Sequence, residues 1–214
     1  MDFKVAENKI IDSLREKLNP ERFNHSLGVA ETAVKIAVHY GVDIQKARLA
    51  GLLHDCARYL SLDELLDIAK KNNIDVRIEE EENPSLLHAP VGLIIAKECY
   101  NIESREVLNA IASHTLGSTD MSELDKIIYL ADKIEPGRRF QGVGYLRELV
   151  YKDIDEALLW HLDYTIAYLI NNAKTIHPQS VSTRNFILRR LKRRNGLVIK
   201  PANSGGSRSK SCKG

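Results

Sequence analysis

Hydrophobic positions recur at helical spacing almost from the first residue. Phe3, Ala6, Ile10, Leu14 and Leu18 fall three or four apart, which predicts a helix over residues 2–18. Asn19-Pro20 ends it, because a proline disfavours helical geometry in the residue before it. A second helix is expected from about Glu21 to Tyr40, with Leu27, Ala30, Val34, Ala37 and Val38 inside and Gly41 as its stop. Asp43 caps a third helix, expected to run through His54-Asp55 with Ile44, Ala47, Ala50 and Leu53 as its buried stripe. Ser61-Leu62-Asp63-Glu64 reads as a capping box that opens a short helix ending near Asn72-Asn73. The run from Glu79 to Glu82, followed by Asn83-Pro84, is expected to be an acidic loop.

The second half continues in the same rhythm. Amphipathic helices are expected over residues 87–100 and 103–114, and Thr119 or Ser122 starts another that carries Ile127, Leu130 and Ala131. Pro136-Gly137 breaks that helix. Residues 144–173 read as one long or kinked helix, His177-Pro178 as a turn, and residues 180–194 as the last helix. Strand alternation and internal repeats are both absent from the pattern. The expected fold is all-α, with residues 1–194 as one domain and residues 195–214 as a basic, disordered tail rich in Gly, Ser, Lys and Pro.

Composition narrows the class without changing that picture. A chain of 214 residues with 43% hydrophobic and 28% charged residues has the balance of a soluble globular protein. No apolar run approaches the roughly 18 residues that span a bilayer, and the start of the chain lacks the layout of a signal peptide. The three cysteines, Cys56, Cys99 and Cys212, form no CxxC pair and no disulfide framework, so the cytoplasm is the expected compartment. Nine of the 31 basic residues and none of the 29 acidic ones lie between Arg189 and the end. The remaining body is acidic, which argues against a nucleic-acid-binding face except through the tail.

Chemistry enters at Gly51-Leu52-Leu53-His54-Asp55-Cys56-Ala57-Arg58, where an apolar run ends in an adjacent histidine and aspartate. Neighbouring helical residues point about 100° apart, so such a pair grips a metal only if other elements supply further ligands. His25, His88, His114 and Asp132 are the candidates, since they sit at expected helix ends or interrupt apolar faces. An unpaired charge at such a position is costly. His25, His88 and His114 each have a plainer reading as a hydrogen-bonded core residue. His39 fits a helix C-terminus, where a cation is favoured, and His161 reads as structural.

Taken together, Arg22-Phe23-Asn24-His25-Ser26, Gly51-Leu52-Leu53-His54-Asp55, Leu87-His88-Ala89-Pro90, Ile111-Ala112-Ser113-His114-Thr115, the stretch from Tyr129 through Asp132-Lys133 and Glu135-Pro136-Gly137 to Arg138, and His177-Pro178 resemble the HD-domain metal-dependent phosphohydrolases. Within these the chain is similar to the bacterial YqeK-like group, which hydrolyses diadenosine tetraphosphate symmetrically to two ADP. The resemblance covers roughly residues 5–192 and implies a helical bundle around a dinuclear metal site, usually iron. Four imidazoles and two carboxylates also suit manganese or zinc. It implies one metal held by His25, His54, Asp55 and Asp132 and another by His88 and His114, with Asp55 bridging. Water activated there is expected to attack phosphorus, with Asp55, Arg58 and Lys133 in catalytic roles. Arg58, Lys133, Arg138 and Arg139 are the expected phosphate ligands, and His177 is an even choice between substrate contact and turn residue. Rival expectations are a related activity on mononucleotides, deoxynucleoside triphosphates or cyclic nucleotides, or a non-catalytic nucleotide or RNA-binding protein. The oligomeric state stays open, a homodimer included.

Overall fold

In the computed structural model, residues 3–196 are described, with side chains from Glu7 onward. Among these residues every regular element is helical: α1 (Phe3–Lys17), α2 (Pro20–Tyr40), α3 (Ile44–Leu53), α4 (Leu62–Lys71), α5 (Ile78–Glu82), α6 (His88–Cys99), α7 (Arg105–Ser113), α8 (Glu123–Ile134), α9 (Val143–Leu149), α10 (Ile154–Asn171) and α11 (Pro178–Arg194), with a 3-10 turn at Pro84–Leu87. The all-α expectation holds. The tail expected to be disordered lies, from residue 197 to 214, outside the described residues.

Local signals set most boundaries. Asn19 accepts the Arg22 backbone N–H and Pro20 takes the first helical position, so the dipeptide that ends α1 also starts α2. Gly41 closes α2 at φ 67°, a left-handed geometry that glycine adopts without a steric penalty. Asp43 Oδ1 accepts the N–H groups of Gln45 and Lys46, and Ser61 and Glu64 form the expected capping box. Ser122, not Thr119, caps α8.

Tertiary packing corrects the pattern at four places. Val38 is 61% exposed while Ala33 and Ile36 are buried, because the face of α2 turned to the core is the one that meets α3 and α8, and Ile44, the first residue of α3, is 46% exposed. The third helix stops at Leu53. His54 and Asp55 lie in a tight turn whose bonds run from Cys56 N–H to Leu53 O and from Arg58 N–H to Asp55 O. The acidic run forms the short helix α5, in which Glu80 is buried; glutamate is a good helix former when its charge has partners. The long helix is two, since Asp153 leaves helical geometry at φ −160° and its side chain caps α10 by accepting the Glu156 N–H.

The core sits where α2, α3, α7 and α8 cross, and α6 and α10 cover it from either side. Gly51 of α3 lies directly against α2, where an added Cβ would stand 2.7 Å from Ala30 Cα. That backbone approach places the end of α3 beside the first turns of α2.

Candidate metal centre

Five elements deliver six polar side chains to one point. His25 comes from α2, His54 and Asp55 from the turn after α3, His88 opens α6, His114 caps the end of α7, and Asp132 projects from α8. All but His25 are buried, at 5% exposure or less. Three overlapping triads could each hold a metal ion: His25, His54 and Asp55; His54, His114 and Asp132; and Asp55, His88 and His114. The structure therefore brings together every one of the six residues singled out as ligand candidates.

Hydrogen bonding fixes which ring nitrogens face inward. His54 Nδ1 donates to Gly51 O at 2.8 Å and His114 Nδ1 to Ile111 O at 2.7 Å. His88 Nδ1 donates to Ser85 O. A carbonyl only accepts, so each of these neutral rings carries its proton on Nδ1 and turns the Nε2 lone pair to the centre. His25 Nδ1 lies 3.2 Å from the Glu135 carboxylate, which orients it in the same sense. The lone pairs then confront one another: His25 and His54 Nε2 are 3.2 Å apart, and His88 and His114 Nε2 2.9 Å. Such facing acceptors repel unless a cation lies between them. The donor set thus fits a metal on a structural observation of its own.

Asp55 divides its two oxygens between the two histidine pairs. Oδ2 is 3.5 Å from His54 Nε2 and 3.9 Å from His25 Nε2, while Oδ1 is 3.3 Å from His88 Nε2 and 3.6 Å from His114 Nε2. Asp132 Oδ1 adds a contact to His25 Nε2 at 3.0 Å. Burial pushes the His54 imidazole down to about 4, and burial likewise lowers His88 and His114 against the pull of Asp55. Burial alone would raise both carboxyls, yet each lies well below the usual range. Neighbouring cations oppose burial at both: the Lys133 ammonium and the Arg138 guanidinium lie beside Asp132, and the guanidinium groups of Arg22 and Arg58 pair with Asp55. The centre thus sets two ionised carboxylates beside the neutral imidazoles of His54, His88 and His114, the protonation that metal binding requires.

Cations surround the two carboxylates. Arg58 Nε is 3.2 Å from Asp55 Oδ1, Lys133 Nζ is 2.6 Å from Asp132 Oδ2, and Arg138 pairs with Asp132 Oδ1. Arg139 turns back on its own loop to donate to Pro136 O and Arg138 O, and is exposed. His177 caps α11 and stands 3.4 Å from Glu80 Oε1; it makes no hydrogen bond or ion pair with the cluster. His39 stands in the last turn of α2 and packs on Tyr40 and Tyr151, and buried His161 meets Tyr129 Oη at 3.2 Å.

Three residues of the site escaped the sequence reading. Arg22 Nη1 reaches Asp55 Oδ2 at 2.8 Å. Glu135 orients His25 and accepts the Gly137 N–H. Thr115 Oγ1 lies 3.2 Å from His88 Nε2 and 3.1 Å from His114 Nε2. All three stand inside the motif phrases, beside or near a ligand, so proximity to the motif was their only signal.

Comparison with known proteins agrees with this geometry. The HD domain family matches residues 22–137, more than half of the chain. A protein of Halalkalibacterium halodurans named bis(5′-nucleosyl)-tetraphosphatase, symmetrical, is 37% identical over 186 residues, which cover 86% of this chain and 98% of that one. One of the same name from Bacillus subtilis is 32% identical over 82% of this chain and 94% of its own. A solved structure from Clostridium acetobutylicum, described as a predicted HD superfamily hydrolase involved in NAD metabolism, is 42% identical with a TM-score of 0.84 and covers 86% of this chain and 97% of its own. HD-domain hydrolases bind divalent metals, and the cluster here offers the donors for them. From the shared motif region, the buried His/Asp cluster and these full-length relatives, the chain belongs to the HD domain family, in the group of the symmetrical bis(5′-nucleosyl)-tetraphosphatases.

Proposed function

We propose that this chain is a metal-dependent hydrolase that cuts diadenosine tetraphosphate, or a related dinucleoside tetraphosphate, symmetrically into two nucleoside diphosphates. The observation that carries the reading is the split of Asp55 between two histidine pairs, which suits a carboxylate shared by two metals. Likeness to relatives of that name over most of the chain narrows the substrate.

His25, His54, Asp55 and Asp132 would hold one metal, and His88 and His114, with Asp55 shared, would hold the other. The proposed metal is iron, and the same donors suit manganese and zinc. When bound, the metals supply Lewis acidity toward a phosphoryl oxygen and lower the pKa of water. The chain's own residues do the rest. Asp55 and Asp132 keep their negative charge through pairing with Arg22, Arg58, Lys133 and Arg138. Those cations border the centre and are the groups placed to meet phosphate oxygens, where charge develops in the transition state. Arg58, Lys133 and Arg138 are the proposed phosphate ligands; Arg139 and His177 contact none of the cluster and are left out. Glu135 holds the His25 ring so that its lone pair faces inward.

Residues 1–194 are proposed as the catalytic unit. Among the described residues no helix is long and apolar enough to cross a membrane, and the cytoplasm is the proposed compartment. The test is to incubate metal-loaded protein with diadenosine tetraphosphate and resolve the products. ADP alone is expected; AMP plus ATP would overturn the symmetrical reading. The double variant His54→Ala, Asp55→Ala should lose turnover by at least about a thousandfold, and unchanged turnover would overturn the metal mechanism.

A further inference from the structure

Two cavities open beside the centre, and Arg22 is the wall they share. The larger, about 580 Å³, lies between α2 and the loop after α8. The smaller, about 420 Å³, lies between the end of α1 and the turn after α3, lined by Lys17, Leu18, Asn19, Arg22, Arg58 and Tyr59. Both volumes fall in the general range of small-molecule sites.

Their walls differ in charge. The larger carries three carboxylates, Glu21, Glu31 and Glu135, beside Arg22 and Arg138. The smaller carries three cations and no carboxylate. Two of those cations end on the carboxylate at the heart of the cluster, since Arg22 and Arg58 both pair with Asp55. The third, Lys17 Nζ, stands 5.3 Å over the Tyr59 ring, and Tyr59 itself is 38% exposed. The N-terminus of the 21-residue helix α2, at Asn19-Pro20, adds the positive end of its dipole.

We propose that the smaller cavity binds the second nucleoside diphosphate half of the substrate. Its phosphates meet Lys17, Arg22 and Arg58, and its base lies against Tyr59. The first nucleoside occupies the larger cavity, whose exposed carboxylates Glu21 and Glu31 accept hydrogen bonds from ribose hydroxyls and a base amino group. The scissile bond then lies at the boundary, beside Asp55. This assignment rests on the reading of the substrate as a dinucleoside polyphosphate, and it gives a physical reason for a two-ended substrate. A mononucleotide needs one such site, whereas a molecule with a nucleoside at each end needs one on each side of the metals.

The test uses Lys17→Gln, Tyr59→Ala and Tyr59→Phe in the full metal-loaded chain, none of which alters a proposed ligand or the cations bound to Asp55. Wild type is assayed first, because failure to release ADP from diadenosine tetraphosphate sinks the functional reading and not the site. If wild type releases ADP, Tyr59→Ala should raise KM for diadenosine tetraphosphate about tenfold, the scale of a lost base–aromatic stack, with kcat within about twofold. Tyr59→Phe should restore KM. Lys17→Gln should raise KM several-fold and weaken its dependence on salt. Adenosine 5′-tetraphosphate, which has no second nucleoside, should inhibit wild type and Tyr59→Ala with equal inhibition constants. Unchanged KM in both Lys17→Gln and Tyr59→Ala, or equal weakening of both ligands by Tyr59→Ala, would overturn the assignment.

Discussion

At the scale of single residues, the centre is held by bonds on the outer side of each ring. Three of its imidazoles lean on backbone carbonyls that no substitution removes, whereas His25 leans on Glu135. Glu135→Ala is therefore expected to weaken metal binding about ten- to a hundredfold while leaving the ligands in place. Calorimetric titration of metal into the metal-free protein checks this, and imidazole nitrogen chemical shifts should show the His25 ring losing its fixed tautomer. His161 gives a separate pH prediction. Burial lowers it to about 3, so it is neutral in the fold, while the unfolded chain takes up a proton near the ordinary value of 6.5. Its contribution to stability is complete above about 6.5 and is lost as pH falls from there toward 3. Urea unfolding at pH 7 and pH 5 should show a smaller acid loss in His161→Gln than in wild type.

At the scale of elements, the decisive contact is the crossing of α2 and α3. Gly51 lets the two backbones meet at Ala30, and the chain then turns at once into His54 and Asp55. Gly51→Ala forces its new methyl group onto the Ala30 backbone, which cannot rotate away as a side chain would. An overpacking cost of about 1–3 kcal/mol is expected in urea unfolding, with weaker metal binding because His54 moves relative to His25. The break between α9 and α10 shows a milder dependence. Asp153 caps α10 and pairs with Arg194 of α11, so Asp153→Ala should cost about 1 kcal/mol of stability without affecting turnover.

At the scale of the molecule, the proposed metal site joins α2, the turn after α3, α6, α7 and α8. Anything bound only by the folded state stabilises it; at a free metal concentration a hundred times Kd the gain is about 2.7 kcal/mol. For a chain of this size that corresponds to a rise in Tm of roughly 5–10 °C on metal loading, measurable by calorimetry before and after chelation. A Tm that does not respond to chelator would contradict the proposed ligand set. Truncation after Gly196 is expected to leave kcat/KM within about twofold, because residues 3–196 contain every side chain placed at the centre.

The amino-acid sequence by itself determined the helical class, because apolar residues at spacings of three and four leave no other regular element that can bury them. It also determined the six ligand candidates, because a histidine or aspartate set into an apolar face has few inexpensive explanations and the motif phrases supplied a common one. Other features were decided by the fold alone. Whether α2 buries Val38 or Ile36 depends on which neighbours it meets, and a periodic stripe does not name its partner. The His54-Asp55 pair lies in a turn and not a helix because the buried centre, not local propensity, sets the path after Leu53. Arg22, Thr115 and Glu135 joined the site through contacts with Asp55, the His88–His114 pair and His25 that sequence spacing does not encode. The same holds for the division of Asp55 between two histidine pairs, since the direction of each oxygen depends on five elements meeting at one point.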